Sequence, residues 1–433
     1  MRVSSLESNP STIGRGSASQ ALGSEEVRQL VAEFVAGGRL DGKRVLALIP
    51  DHTRSAPLPL LFRILHEWMV PRVERLDFLV ALGTHPPMSQ AAIDRLLGLA
   101  PGELASRYSQ CSVYNHDWRD PQNLVNVGTI PADHLARISG GMMREAIPVT
   151  VNRRILEYEL LLIVGPTFPH EVVGFSGGNK YLFPGVAGPD IIDAFHWLGA
   201  LFTSPMIIGH QRTAVRSVVD AAAAMVPVPR LCISLVVGST GLLGLYCGTP
   251  EQAWARAADL SAQVHVQYHA APYRSVLSCA PAMYDELWVG AKAAYKLEPV
   301  VADGGELILY APHITAVSAA HGAFIQQIGY HVRDYFVHQM DRFAHVPRGV
   351  LAHSTHLKGL GTYQNGQEQS RIHLVLATGI PENLCRQLNV GYRDPRTIRP
   401  EQFQNRTAEG VLYVPKAGEV LHRLRDDPFV SGR

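Results

Sequence analysis

The sequence predicts an α/β protein of two domains. Three observations carry this. Short apolar runs alternate with stretches of helical spacing. Each early apolar run ends in polar or glycine-rich residues, as strands do when strand-end loops build a site on an open sheet. The 433 residues exceed what one core ordinarily organises.

Residues 1–22, rich in Ser and Gly, read as a disordered lead-in. Residues 44–49 (RVLALI) read as a buried strand ending at Pro50-Asp51. Residues 60–69 have helical spacing, with Pro59 as a start signal. Residues 76–82 (LDFLVAL) form the next strand, ending at Gly83-Thr84-His85. Ser89 is an N-cap before a further helix. Residues 160–164 and 232–237 are two more strands. A second α/β pattern begins near residue 272. It has strands at 275–279, 306–311 and 373–377, a helix over 287–297, and a turn at Ala302-Asp303-Gly304-Gly305. Residues 350–352 lead into His353-Ser354-Thr355-His356. The expected organisation is an N-terminal doubly wound domain over residues 23–270 and a smaller α/β domain over 271–433. The last segment of the second is expected to pack back on the first.

Composition narrows the function classes. Hydrophobic residues at 46% and charged residues at 18% suit a soluble globular protein. A net charge of +1 with no basic tract gives no footprint for nucleic acid. The longest apolar runs, 45–49 and 160–164, are too short to span a bilayer, and no apolar leader is visible. A cytoplasmic location is therefore expected. The five cysteines form no CxxC pair, which argues against a zinc ribbon or a disulfide scaffold.

The chemistry-bearing residues lie at strand ends. Asp51-His52-Thr53-Arg54 follows the first strand, where an arginine suits capture of a carboxylate or phosphate. The plain alternative is a surface turn with an Asp–Arg ion pair. Gly83-Thr84-His85-Pro86 places a histidine, a group suited to acid–base work, beside the same crevice. His170 follows the third strand. After it comes Gly174-Phe175-Ser176-Gly177-Gly178-Asn179-Lys180, a loop whose N–H groups can face an anion and whose lysine is a cation or a covalent handle. It is not a Walker A loop, because Asn179 separates Gly178 from Lys180. Gly188-Pro189-Asp190 opens a helix that carries His196, with Asp193 three residues earlier to orient its ring. Asn115-His116-Asp117 and the His353/His356 pair are weaker pocket or structural candidates, and Lys292 is by default a solvated helix charge.

Asp51-x-Thr53-Arg54, Gly83-Thr84-His85, His170 with the glycine–lysine loop, Pro184-Gly185 and His196 together resemble the lactate racemase family, in order and spacing. Members of that family use a nickel-pincer nucleotide. The resemblance implies a thioamide link from the cofactor to Lys180 and Ni(II) bound by His196. It implies a cofactor phosphate held by Gly174, Ser176, Gly177 and Gly178. His85 and His170 are implied as two bases, one on each side of a 2-hydroxy acid. Arg54 is implied as the carboxylate clamp, Asp51 as an orienting group and Lys292 as a substrate ligand from the second domain. The first domain is then Rossmann-like and the site lies in the interdomain cleft. Val289 stands where the family often has Gln, and residues 244–249 depart from the family's acidic pattern. These departures point to a larger acid than lactate, such as an aldonate, with His353, Ser354, His356, Tyr363 and Asn365 lining a roomier pocket. The residues alone also suit a lyase or hydrolase with Lys180 as Schiff base, or a non-enzymatic phosphate or sugar-acid binding protein.

Overall fold

The computed structural model describes residues 12–429. Its larger sheet contains β1 (Ile13–Gly16), β2 (Arg44–Ile49), β3 (Arg75–Val80), β4 (Val113–Asn115), β5 (Leu160–Pro166), β6 (Arg230–Gly238) and β7 (Gly241–Gly248). The strand order is β1-β7-β6-β5-β2-β3-β4. The strands from β2 to β6 are parallel, while β7 returns antiparallel to β6 and β1 pairs antiparallel with β7. The second sheet contains β8 (Tyr273–Cys279), β9 (Val301–Ala311), β10 (His373–Thr378), β11 (Gly391–Tyr392) and β12 (Val411–Val414). Its order is β11-β10-β9-β8-β12, all parallel.

The helices that matter for the site are α1 (Leu58–Met69), α2 (Pro189–Phe202), α3 (Ala214–Ala224), α4 (Pro250–His265) and α5 (Arg348–Lys358). Ser89 caps its helix as expected, accepting from the Ala92 amide at 3.3 Å. Among the described residues, no helix is long and apolar enough to cross a membrane. The five cysteines are free thiols.

The central strands bury both faces, which is why they read as unbroken apolar runs. Leu46 and Leu48 of β2 enter one core, while Val45, Ala47 and Ile49 enter the core on the opposite face. The first of these cores is continuous with the second sheet, through Val276, Leu307, Leu309 and Leu376. The C-terminal strand Leu421–Leu424 pairs with Val266–His269. From it, Arg423 donates to the carbonyls of Pro205 and Ile208 at 2.8 and 2.9 Å.

Several sequence expectations are corrected. Residues 1–11 of the supposed disordered lead-in lie outside the described residues, but Ile13–Gly16 is an ordered strand. It covers the outer edge of β7, with Ile13 opposite Cys247 and Gly16 opposite Gly244. Satisfying that edge's backbone groups orders a segment that composition alone marks as loose. The turn at 302–305 sits inside β9 as a bulge, where the register with β8 jumps from Tyr273–Val301 to Ser275–Glu306. The helix expected over 287–297 divides into Leu287–Gly290 and Lys292–Tyr295. Residues 353–356 are part of α5 rather than a strand-end loop.

Candidate active site

The chain runs from β2 outward through β3 and β4, then crosses back to β5 and continues through β6 on the other side. The order therefore reverses between β2 and β5, and ligand sites of open α/β sheets form at that point. A cavity of about 220 Å³ opens there, lined by Asp51, Arg54, His85, His170, Ser176, Gly177, Lys180, His196 and Lys292 among others. Of the residues singled out in the sequence, Gly174 and Gly178 stand off its wall and serve the loop from behind. Ser354, Tyr363 and Asn365 are also absent from it. Ser354 is spent on the Gly329 carbonyl at 2.8 Å, and Tyr363 lies in the hairpin strand Gly361–Gln364, next to Asn365.

The turn after β2 builds an acid–base unit. Asp51 is buried and accepts from the Thr53 amide at 3.0 Å and the Thr53 hydroxyl at 2.6 Å. Its other oxygen lies 2.5 Å from His85 Nδ1. Arg54 in turn donates to the Thr53 hydroxyl at 2.6 Å. Burial pushes the Asp51 carboxyl up, but the charges of His85 and Arg54 and the hydrogen bonds from His85 and Thr53 outweigh it. The carboxyl is held well below the usual carboxylate range. Because Asp51 can only accept at Nδ1, His85 carries a proton there, and Nε2 is the nitrogen left to exchange a proton. The His85 turn is anchored by the Gly83 amide, which donates to the Gly185 carbonyl at 2.9 Å.

His170 is held differently. Its Nδ1 accepts from the Val172 amide at 3.1 Å. Burial and the nearby charges of Lys180, Arg54, Lys292 and Lys296 keep the ring neutral, well below the usual histidine range.

The loop over residues 174–180 is clamped from α3 and α4. Trp254 Nε1 donates to the Ser176 carbonyl at 2.8 Å, and Arg216 donates to the Gly177 carbonyl at 3.3 Å and to that of Phe175. Arg216 also stacks on Trp254, 4.1 Å from the ring centroid. Asn179 bridges Asp220 and Glu251 at 3.0 and 2.7 Å, fixing the residue next to Lys180. Ser176 is not free for an anion. Its amide donates to the Phe168 carbonyl at 2.8 Å, and its hydroxyl donates to the Pro166 carbonyl at 3.2 Å. Gly174 has φ of +86°, and a Cβ there would lie 1.7 Å from the His210 carbonyl oxygen, so only glycine fits. Burial and the Arg54 charge bring the Lys180 amine down to about 7, so it is a nucleophile near neutral pH.

His196 lies on α2, but Asp193 does not orient it. Its Nδ1 donates to the Ile192 carbonyl, one turn back, at 2.7 Å. Asp193 instead accepts from the Gly349 amide of α5 at 3.0 Å. Gly349 lets α5 approach, since a Cβ there would lie 2.9 Å from Asp193 Oδ1. Burial holds the His196 ring neutral, down to about 4. A neutral ring with Nδ1 committed leaves Nε2 as a free lone pair, the form a metal ligand takes. Among the described residues, no three His, Cys, Asp or Glu side chains gather to hold a metal on their own.

The second half closes the cavity with Trp288, Lys292, Tyr295, His321, His353 and His356. Burial and Arg54 press the Lys292 amine well below its usual range. Glu171, Tyr295 and the aromatic group were missed by the sequence reading. Burial would raise Glu171, but His356, a local backbone hydrogen bond, Lys292 and Lys296 hold it below the usual range. Trp288 stacks on His353 with centroids 3.9 Å apart. Tyr295 lies three residues after Lys292, a helical spacing that would have found it.

Residues 21–206 match the family described as the lactate racemase N-terminal domain. A lactate racemase of Thermoanaerobacterium thermosaccharolyticum is 29% identical over 163 residues, 36% of this chain and 32% of its own. The lactate racemase of Lactiplantibacillus plantarum is 31% identical over 174 residues, 38% and 35% of the two chains. The matched stretch thus spans about a third of the length of these curated relatives. A Thermotoga maritima protein solved by structural genomics superposes with a TM-score of 0.86 at 30% identity, over 95% of this chain and all of that one. The lactate racemase apoprotein from T. thermosaccharolyticum shares the fold, with a TM-score of 0.67 at 17% identity over 95% and 94% of the chains. Over residues 21–206 the chain belongs to the lactate racemase family, as its N-terminal domain.

Proposed function

We propose that this protein is a racemase or epimerase that inverts C2 of a 2-hydroxy acid through a 2-keto acid, with a nickel-pincer nucleotide as its cofactor. The observation that carries this is the convergence of Lys180, His196, His85, His170 and Arg54 on one cavity. The residues fit the cofactor. Lys180 is a half-buried amine with a pKa of about 7, suited to a covalent link, and His196 offers Nε2 to nickel. A single imidazole suits a metal whose other donors come from the pincer. When bound, the cofactor supplies a hydride acceptor, which spares the substrate from forming a carbanion at C2.

The chain's own residues do the rest. Arg54 binds the carboxylate and is itself fixed by Thr53. His85 and His170 handle the hydroxyl proton, and Lys292 reaches in from the second half. The glycine loop holds the cofactor phosphate through Gly177, since Ser176 is committed to the backbone and Gly178 packs against Trp254. We read residues 23–270 and 271–433 as two domains that close on this cleft. The proposed substrate is a larger polar acid such as an aldonate, with Trp288, His321 and His353 walling its distal end. A Schiff-base lyase would also use a low-pKa Lys180, but it leaves His196 without a role. A simple binding protein leaves the two histidines without one.

The test is chiral analysis of a panel comprising lactate, phenyllactate, malate and gluconate, each offered as one stereoisomer to cofactor-loaded protein. Appearance of the C2 epimer of at least one supports the proposal. No inversion of any, with nickel and cofactor present, contradicts it.

A further inference from the structure

We infer that Glu419 is a positioning residue for the substrate carboxylate: from the C-terminal segment it grips Ser55 and so fixes the turn that presents Arg54. The inference rests on the 2-hydroxy acid reading above and extends it to a residue outside the cavity wall.

Residues 415–420 carry the chain from β12 back to the first half. At one end the Ala417 amide donates to the carbonyl of Cys279, the last residue of β8, at 2.9 Å. At the other end Leu421–Leu424 pairs with Val266–His269. Between them Lys296 Nζ donates to the Glu419 carbonyl at 3.1 Å, and the His422 amide donates to the Lys296 carbonyl at 2.9 Å. The backbone around Glu419 is thus tied down on both sides, so its side chain starts from a fixed point. Its Oε1 accepts from the Ser55 hydroxyl. Ser55 directly follows Arg54, and the Thr53 and Arg54 amides donate to Asp51 at 3.0 and 3.4 Å.

The same segment stands behind a second cation. Gly418 has φ of +109°, and a Cβ there would lie 2.5 Å from the buried ring of Tyr284. Lys292 Nζ lies over that ring, 5.3 Å from its centroid. Ser55, Tyr284, Gly418 and Glu419 are all absent from the cavity wall, whereas Arg54 and Lys292 line it. Each of the four therefore reaches a substrate only through one of those cations. Arg54 donates to the Thr53 carbonyl at 3.2 Å and to the Thr53 hydroxyl at 2.6 Å, bonds that travel with the turn. The Ser55–Glu419 bond spans 364 positions of sequence and anchors the turn to the second half. A guanidinium that must be ordered when the carboxylate arrives loses affinity, and one already aimed does not. The carboxylate is held alike in the ground and transition states, so the hold on Arg54 acts on KM rather than kcat. A tie that served only the fold would lower stability and leave that split unmoved.

The test has two arms, both on the full chain. Without cofactor, hydrogen–deuterium exchange over residues 50–57 is compared among the wild type, Ser55→Ala, Glu419→Ala and Glu419→Gln. The Thr53 and Arg54 amides should exchange ~5-fold faster or more in the two alanine variants. Glu419→Gln keeps an acceptor for Ser55 and should stay near the wild-type rate. If Glu419→Ala does not fold, Ser55→Ala reads the same bond from its other end. Unchanged exchange in the alanine variants overturns the inference, whatever acid the protein turns over. In loaded protein, with the panel acid turned over fastest, KM should rise ~10-fold in each alanine variant while kcat stays within ~2-fold. The double variant should lose no more than either single one, because both remove one bond. An unchanged KM, or losses that add, would mean the bond serves the fold alone and overturns the inference. A wild type that inverts no acid, with exchange as predicted, removes the racemase reading and the carboxylate role of Glu419 with it.

Discussion

Lys180 gains its chemistry from its surroundings. A lysine in water titrates near ~10.4. Here burial and Arg54 bring it to about 7. Below that value the amine is protonated and inert, and above it the amine is a nucleophile. In the cofactor-free protein, amine-specific labelling of Lys180, followed by peptide mass spectrometry, should therefore rise with a midpoint near pH 7. Surface lysines should still be protected at that pH. A Lys180 midpoint near 10 would contradict the burial argument. At this scale the sequence was informative about place: His85, His170 and Lys180, singled out from their motifs, all line the cavity. It was misleading where a long-range partner competes. Asp193 is within helical reach of His196, yet the Gly349 amide, 156 residues away in sequence, takes its oxygen. Nothing local announces that contact.

The loop over residues 174–180 shows how an element is made rigid without regular structure. Its carbonyls are held by Arg216 and Trp254, and its glycines allow the backbone to pass close under α3 and α4. Gly174→Ala places a methyl group in the His210 carbonyl and strains a positive φ, at a combined cost of ~2 kcal/mol or more. Thermal or denaturant unfolding of this variant should show that loss, and Lys180 labelling should shift toward ordinary lysine behaviour as the loop opens. A variant as stable as the parent would mean the loop is not held as described. The strands buried on both faces, β2, β3, β5 and β6, were legible because continuous apolar runs have few alternatives. β1 and β7 were not. Their glycine-rich sequences carry no strand signal, and only mutual pairing and the edge of β6 define them. The helix α5 was missed because its Gly, Ser, Thr and His residues have weak helix propensity. Its burial against α2 overrides that preference.

In the whole molecule one of the two cores of the larger sheet continues into the second sheet, and the cavity lies at the point where the larger sheet reverses its strand order. That arrangement explains why residues from β2, β3, β5, α2 and the second half, far apart in sequence, reach one space. It also explains why the strand-end pattern led to residues of this cavity, whereas the walls supplied by Trp288, Tyr295 and His321 did not show. Those side chains matter only through packing between the halves. The central claim is that the space is built for a cofactor anchored at Lys180 and a metal held by His196. The most direct measurement is intact mass together with nickel content, on protein purified from cells that make the pincer nucleotide, for the wild type and His196→Ala. The account predicts a covalent adduct on Lys180 with about one nickel per chain in the wild type. It predicts the same adduct with nickel lost in the variant. Unmodified, metal-free wild-type protein that still inverts its substrate would contradict it.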